Sequence, residues 1–462
     1  MNKLTESPWL IFWLGAFVFV YSWFVSAILQ LLVIPILFPQ PGLNTGLVVL
    51  DSIGFDVIAK AKAAEIAKLG WVEWELRPQL QSPAGIASVF YVFLSPVPSS
   101  MLPFNAAVHA MSACVVMAIL RNFFSVLPAL IGALIFALNP ASFEWVAQIH
   151  RDGVFILGNL LLILGILRFT RETPTVIGYS KYGYWLIWLL VPIVGTLLIW
   201  VARTYWVQVA LVTLILTVTF VIFATFFYRV KLGHSMALFV WTVFLVSAFQ
   251  VWLIRSHTPY DPVDYPSSDR QADRQEDRQA DRQADRQEDR PTNLSGWQPT
   301  NGLPKIIEDR FYRIASIRRG VLSSGGNTLV DIDIPFNSAS AVVRYIPRAL
   351  QLGMFSPFPR LWGGEASTPA MTMARKVVAG VTLLAYVSLL GLSIGLWWMR
   401  NNLSLWVMVG SCLTGILIYA VTYPNIGTMM RFRYGFYMLL IAFGVAFLFD
   451  LWVRHKSGDR SR

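Results

Sequence analysis

The residues most able to do chemistry in this sequence are acids and arginines that stand beside long apolar stretches. Charged groups next to lipid are costly, so each one is a candidate for function. A carboxylate can take a proton from an acceptor hydroxyl or orient that hydroxyl, and guanidinium groups bind phosphate oxygens in bidentate fashion. The set consists of Asp51, Asp56 and Asp152 as catalytic carboxylates, Arg151, Arg203, Arg431 and Arg433 as phosphate-binding groups, and His150, Arg77 and Arg348 as further candidates.

Each candidate also has a structural interpretation, and the sequence leaves both open. Asp51, Asp56 and Asp152 stand where helices are predicted to begin, and aspartate is a preferred N-cap. The arginines also fit contacts with lipid headgroups. Arg203 lies in a short connection between two spans, so its side chain points either to the interface or into a cavity.

Composition places the chain in a membrane. Of the 462 residues, 56% are hydrophobic and 14% are charged, whereas a soluble protein has about a quarter charged residues. A helix that crosses a hydrocarbon core needs about 20 residues and satisfies its own backbone there. We therefore predict an all-α polytopic membrane protein. Its ten predicted spans are residues 9–38, 103–120, 126–139, 153–168, 184–201, 206–227, 236–254, 377–398, 403–421 and 435–453. The first span is too long for a cleaved signal peptide and is predicted to stay as an anchor.

Basic residues at the span ends predict the topology. With the N- and C-termini in the cytoplasm, nearly every short inner loop carries Lys or Arg, which is the positive-inside bias. The acids and arginines beside the spans then share the outer face. The formal charge of +11 is accordingly assigned to topology, and no nucleic-acid partner is predicted.

Three segments are predicted along the chain. Residues 1–254 form an N-terminal transmembrane module with a first outer loop at 39–102, and residues 377–462 form a C-terminal one. Between them, residues 255–376 form a long, partly ordered periplasmic loop. It opens with a low-complexity Asp-Arg-Gln-(Ala/Glu) repeat at 269–290, which is too polar to bury a core.

The first outer loop contains an amphipathic stretch. From Asp56 to Leu69, Ala, Ile and Leu recur at helical spacing while charged residues stand between them. This pattern predicts a helix that lies along the membrane surface.

Three motifs resemble elements of the GT-C superfamily, which includes protein O-mannosyltransferases and lipid A aminoarabinose transferases. Asp51-x3-Phe55-x3-Ala59, after the first span, resembles the signature Asp-Glu-x-x-Tyr-x-x-x-Ala, with Ser52 in place of the second acid and Phe55 in place of tyrosine. The other two are the segment from Leu138-Asn139-Pro140 to Arg151-Asp152 and the pair Arg431-x-Arg433 before the last span.

A further segment, from Ile346 to Trp362, resembles a poorly characterised group of bacterial membrane proteins linked to exopolysaccharide production. No residue roles are carried over from that group.

The GT-C resemblance implies an inverting membrane glycosyltransferase in the bacterial inner (plasma) membrane. Its donor would be a sugar on a polyprenyl phosphate, and its acceptor a cell-envelope polysaccharide or glycolipid on the periplasmic face. Asp51 would be the base or acceptor-orienting carboxylate and Asp152 a second acid, while the arginines would hold the phosphate leaving group. A divalent cation, Mg²⁺ or Mn²⁺, is left open as a cofactor, with Asp56 standing in for the missing acid of the motif.

Two other functions fit parts of the pattern. An O-antigen or exopolysaccharide polymerase or ligase also uses lipid-linked sugars and outer-face arginines, but would depend on arginines of the long loop rather than on Asp51. A lipid-linked sugar transporter or flippase predicts charged or Gly/Pro-broken positions near the midplane of several spans, usually with internal repeats. Pro192 is such a break, and no repeat is evident.

Overall fold

The computed structural model describes residues 8–37, 45–48, 50–168, 181–204, 206–228, 235–255, 296–323, 328–362 and 369–457. It is 83% helical, with no β-strand within these residues. A β-bridge joins Leu329 to Asn425. The predicted all-α class is therefore confirmed, and the repeat at 269–290 lies outside the described residues.

We number the α-helices in chain order. Helix α1 is Pro8–Ile28, continued by a π-helical turn at Leu29–Val33 and a last turn at Ile34–Leu37. The others are α2 (Leu50–Leu69), α3 (Ser82–Phe93), α4 (Leu102–Leu120), α5 (Val126–Ala137), α6 (Phe143–Val146), α7 (Asp152–Arg168), α8 (Lys181–Ala202), α9 (Trp206–Tyr228), α10 (Ser235–Arg255), α11 (Lys305–Ser323), α12 (Ala339–Phe355), α13 (Pro369–Trp398), α14 (Leu403–Thr422) and α15 (Ile426–Ser457).

Five helical segments among the described residues are long and apolar enough to cross a membrane. They are Trp9–Leu37, Pro98–Leu120, Lys376–Trp398, Leu403–Thr422 and Ile426–Lys456. These match five of the ten predicted spans, and the chain is a multi-pass membrane protein.

A sixth span is formed if α5 and the short helix after it are taken together, with a bend of 49° between them. The bend occurs at Pro140, which has no backbone N–H and disfavours a helical residue before it. Asn139 is extended there and caps the next turn, since its side-chain oxygen accepts a hydrogen bond from the Ala141 N–H at 2.9 Å.

The remaining four predicted spans coincide with α7 to α10. Helix α7 has 17 residues, and the described apolar parts of the next three are Trp188–Ala202, Trp206–Leu216 and Val243–Ile254. All four are helical as predicted, but the count of ten membrane crossings stays a prediction.

Glycines let α7 and α8 approach closely. A Cβ atom on Gly158 would lie 2.8 Å from the carbonyl oxygen of Gly195, and one on Gly165 would lie 2.3 Å from Cδ of Pro192. Small residues at such crossings allow backbone-to-backbone packing inside a membrane. The start of α7 and the end of α8, where two of the candidate residues stand, are held together by this packing.

The amphipathic stretch is a helix, α2, but lipid does not cover its apolar stripe. Phe55, Ala59 and Ala63 are buried in one cluster with Ala84 and Ala87 of α3. The predicted helix is thus confirmed, and its apolar stripe packs against α3; its location along the membrane surface stays a prediction. The pattern of apolar residues could not distinguish lipid from a neighbouring helix, because both are apolar surroundings.

The described chain forms two compact units. The first comprises Met1–Thr258, Pro359–Thr414 and Gly435–Arg462, and the second comprises Pro259–Phe358 and Gly415–Tyr434. These units cut across the predicted segments 1–254, 255–376 and 377–462, which stay a prediction about topology rather than about packing. In the second unit, the core consists of buried residues from α11, α12, α14 and α15, so the long loop is partly ordered.

Candidate active site

Asp152 is the centre of a buried polar cluster in the first unit. It is the first residue of α7 and is 1% exposed. Its carboxylate accepts a hydrogen bond from the guanidinium of Arg203, and its Oδ2 atom lies 3.1 Å from Nδ1 of His150. A buried carboxylate is tolerated only with such partners. Three of the predicted residues therefore meet in direct contact.

Arg203 reaches this cluster from the end of α8. Its backbone N–H continues the helical ladder by donating to the Ile199 carbonyl at 2.8 Å. Its guanidinium is buried and lies 5.2 Å from the ring centroid of Phe155, one turn into α7. The side chain thus points into the protein and not to the membrane interface, which decides the alternative that the sequence left open.

Arg151 connects the cluster to the first candidate motif. Its guanidinium carbon lies 5.7 Å from the ring centroid of Phe55 in α2. Asp51 is four residues before Phe55, in the first turn of the same helix and partly buried. Because positions i and i+4 share a helix face, Asp51 lies on the side of α2 that Arg151 approaches.

A network of side-chain amides holds the two motif segments together. Gln148 accepts a hydrogen bond from the Val48 N–H and donates one to the Gly46 carbonyl, both at 3.0 Å. Asn105 of α4 donates to the carbonyls of Val146 and Gln148, at 3.1 and 2.7 Å. The segments that precede Asp51 and Asp152 are thereby fixed relative to each other.

The π-helical turn of the first span takes part in the same network. Gln30 is 1% exposed and donates to the Ala147 carbonyl at 2.9 Å. A Cβ atom on Gly46, which has a φ of +69°, would lie 1.9 Å from the Gln30 carbonyl oxygen. Only glycine therefore fits at this turn. Sequence analysis missed Gln30, Asn105 and Gln148, although an amide inside an apolar run is the signal that would have found the first two.

Asp56 serves to join α2 and α3. It is 4% exposed, accepts a hydrogen bond from the Tyr91 hydroxyl at 2.5 Å, and pairs with Lys60 at 2.7 Å. These contacts occupy both carboxylate oxygens. In the described state Asp56 joins the two helices, and its predicted catalytic role stays a prediction.

Arg77 is an anchor against the end of α8. Its guanidinium donates to the Trp200 carbonyl and lies 4.0 Å over the ring of the same residue. Burial lowers the pKa of Arg77 from its ordinary value. A cation beside the last carbonyls of a helix is stabilising, so Arg77 fastens the segment between α2 and α3 to the end of α8, near Arg203.

In the second unit, Arg348 forms a bidentate pair with Asp331. Nε and Nη2 of Arg348 each lie 2.9 Å from a carboxylate oxygen of Asp331. The Tyr345 hydroxyl donates to the same carboxylate at 2.8 Å. The Arg348 hydrogen bonds hold the pKa of Asp331 below its ordinary range, and burial raises the pKa of Tyr345 to about 12.

Arg318 lies behind this pair and was not predicted. It is 2% exposed, with its guanidinium carbon 4.5 Å from the Phe336 ring and 4.7 Å from the Tyr345 ring. It also donates to the Asp331 carbonyl at 2.9 Å. Asp331 thus accepts hydrogen bonds from both Arg318 and Arg348. These contacts make Arg348 part of a structural network.

Arg433 caps the end of α12. It is 2% exposed and donates to the backbone carbonyls of Leu352, Gly353 and Ser356. Helix ends leave such carbonyls without helical partners. These contacts give Arg433 a capping role in the described state, and its predicted phosphate-binding role stays a prediction. Arg431, in contrast, is half-buried with its guanidinium 5.2 Å from the Phe432 ring.

The donor set does not fit the divalent cation left open by the sequence. No group of three or more His, Cys, Asp and Glu side chains that could hold a metal occurs among the described residues. Mg²⁺ and Mn²⁺ need several oxygen ligands, whereas the Asp152 carboxylate faces a guanidinium and the Asp56 carboxylate faces an ammonium group.

The site and fold define a multi-pass helical membrane protein with an acid–arginine cluster at the ends of its helices. Its fold is similar to that of the oligosaccharyltransferase of Archaeoglobus fulgidus. The apo form of that enzyme matches with a TM-score of 0.51 and 14% identity over 99% of this chain and 53% of that one. The archaeal oligosaccharyltransferase AglB from Archaeoglobus fulgidus, in complex with an inhibitory peptide and a dolichol-phosphate, matches with a TM-score of 0.49, the same identity and the same coverage.

This chain spans about half the length of those two chains, which are 53% covered. No protein-family model and no curated protein sequence matches it. This likeness supports the predicted GT-C-like fold, while membership of the superfamily and of any subgroup stays a prediction.

Proposed function

We propose that this protein is a membrane glycosyltransferase that moves a sugar from a polyprenyl-phosphate donor to a cell-envelope polysaccharide or glycolipid. The fold shared with an oligosaccharyltransferase supports the class. The proposal places the protein in a bacterial inner membrane, with both termini in the cytoplasm and the reaction on the outer face, because of the positive-inside bias of the short loops.

One observation carries the proposal. The Arg151 guanidinium lies 5.7 Å from the Phe55 ring, and this contact brings the arginine beside Asp152 to the helix face that carries Asp51. A carboxylate and a guanidinium at the same face of a helix suit a reaction in which a proton is removed from one group and negative charge develops on another.

The reaction follows from these roles. Asp51 accepts the proton of the acceptor hydroxyl while that oxygen forms a bond to the anomeric carbon of the donor sugar. The bond between this carbon and the phosphate oxygen breaks at the same time, with inversion at carbon. The polyprenyl phosphate leaves with its electron pair, and Arg151 stabilises the negative charge on the phosphate.

The buried Asp152–Arg203 pair acts on this centre by positioning. Asp152 directly follows Arg151 in the chain and is held by Arg203 and His150. Since Asp152 is already paired with a guanidinium, it suits a fixed electrostatic role better than proton transfer. Arg431 belongs to the second unit, and its predicted role in binding phosphate stays a prediction.

Sugar transfer by the purified protein in vesicles tests the proposal. A panel of radiolabelled polyprenyl-phosphate sugars is offered with envelope glycans, and wild type is compared with Asp51→Asn. Loss of a general base lowers the rate by about 10²–10⁴-fold. Glu65→Gln is the matched control, because Glu65 is a partly exposed carboxylate farther along the same helix.

Each outcome has a meaning. Loss of transfer in Asp51→Asn with full transfer in Glu65→Gln supports the proposed base. Full transfer in Asp51→Asn removes it, and loss in Arg348→Gln would then favour a polymerase or ligase. Movement of an unaltered lipid-linked sugar across the bilayer without transfer would favour a flippase.

A further inference from the structure

An exposed apolar surface lies at the far end of α2. It is formed by Trp71 and Val72, just after α2, and by Phe93 and Leu94 at the end of α3, and we call it the aromatic tip. These four residues are 48%, 94%, 71% and 63% exposed, respectively. The rings of Trp71 and Phe93 stack with centroids 5.2 Å apart and an interplanar angle of 28°.

The packing of α2 against α3 does not use the aromatic tip. Helices α2 and α3 already bury their facing sides in one cluster around Phe55, Ala59 and Tyr91. The tip projects its rings and aliphatic groups away from that cluster. Contiguous apolar patches of this kind are uncommon in contact with water and mark a surface that something else covers.

The position of the aromatic tip in the chain indicates that lipid covers it, because the tip lies next to a membrane-spanning helix. Leu94 and Val97, the latter 42% exposed, directly precede Pro98, where a membrane-spanning helix begins. The tip is therefore continuous along the chain with the part of the molecule that the bilayer covers. Residues 45–97 also lie between two consecutive spans, so neither end of this segment is far from the membrane.

The side chains of the aromatic tip also suit contact with lipid. Tryptophan and phenylalanine are suited to the boundary between headgroups and acyl chains. Lys68, exposed one turn before the tip, is available to anionic headgroups. The nearest exposed acidic side chain in the sequence is that of Glu75, and it pairs with Lys62 at 3.4 Å.

We propose that the aromatic tip inserts into the lipid headgroup layer and anchors the α2–α3 segment to the bilayer. The helix that begins beside Asp51 is then held by lipid at its other end, about 30 Å away by helix length. This membrane contact stands apart from the proposed sugar transfer and does not depend on it.

A fluorescent label reports the contact directly. Val72→Cys is made in the full-length protein after replacement of Cys114 and Cys412 by Ala, and the thiol is labelled with an environment-sensitive dye. The protein is reconstituted in phosphatidylcholine–phosphatidylglycerol vesicles, with and without bromine on the acyl chains. Gln79→Cys, at an exposed polar position of the same segment, is the matched control.

The expected result is emission at shorter wavelength from the Val72 position and its quenching by brominated lipid, with neither effect at Gln79. Emission typical of water at Val72, quenched by aqueous iodide, would overturn the proposal. Short-wavelength emission that brominated lipid does not quench would also overturn it, since a protein surface would then cover the tip. No sugar donor is present, so a failure of the proposed function leaves the result unaffected.

Discussion

Gln148 holds Val48 in place across 100 residues of chain, because its amide oxygen accepts the Val48 N–H at 3.0 Å. Its amide nitrogen at the same time donates to the Gly46 carbonyl. One side chain thus links the segment before Asp51 with the segment before Asp152. The geometry of the candidate site depends on this amide as much as on the acids.

Gln148→Leu should destabilise the protein. The change keeps the approximate volume but leaves the buried Gly46 carbonyl without this partner, at about 1–3 kcal/mol, and also removes the part-buried hydrogen bond from the Val48 N–H. Thermal unfolding in detergent measures the effect. Gln298→Leu is the control, because Gln298 is exposed. Equal unfolding temperatures for wild type and Gln148→Leu would contradict the role of the amide.

Arg203→Gln should lower the free energy of unfolding more than the double change that removes the charges of both Arg203 and Asp152. It leaves the Asp152 carboxylate, 1% exposed, without its guanidinium, and breaking a buried ion pair from one side costs about 3–5 kcal/mol. Asp152→Asn/Arg203→Gln removes the charge as well and should recover part of the loss. The free energies of unfolding of the two single variants and the double variant give the coupling. Strict additivity would show that the two side chains do not stabilise each other.

The second unit should lose stability in acid through Asp331. The hydrogen bonds from Arg348 lower the pKa of this carboxyl from its ordinary value of 3.8. A lowered pKa contributes stability that is fully present above the ordinary value and is lost as the pH falls through the folded-state value. Hydrogen exchange of α12 amides should therefore rise below about pH 4.

Asp331→Asn should remove that dependence on pH, since its amide does not titrate. Asp333→Asn changes an exposed carboxylate two residues away and serves as the control. If exchange in Asp331→Asn rises in acid as steeply as in wild type, the Arg348–Asp331 pair is not its cause.

Arg433→Gln should unfold the end of α12. The variant loses charged donors to the carbonyls of Leu352, Gly353 and Ser356, and hydrogen bonds to a charged group contribute about 1.5–3 kcal/mol each. Faster hydrogen exchange at the end of α12 and a lower unfolding temperature are the expected results. Arg431→Gln, at a half-buried position, should change neither. An unchanged α12 in Arg433→Gln together with weaker donor binding would restore the phosphate-binding interpretation.

The positions of the helices follow from the sequence because the transfer of apolar residues to lipid is a local property. Each predicted span coincides with a helix, and α2 is helical as its spacing indicates. The same reasoning could not assign the partner of an apolar face, and the structure shows that α3 covers the apolar stripe of α2. Whether every apolar helix crosses the bilayer depends on length and tilt, which composition alone does not set.

The amino-acid sequence by itself determined that acids and arginines stand at the ends of apolar helices, since a charge is too costly inside lipid. Only the tertiary structure decided which of these charges meet. Asp152 and Arg203 are 51 positions apart and pair, while Arg433 and the carbonyl it caps at Leu352 are 81 apart. Such pairings depend on how helices cross, through contacts such as Gly158 against Gly195. The residues next to each partner in the sequence therefore do not predict the pairing.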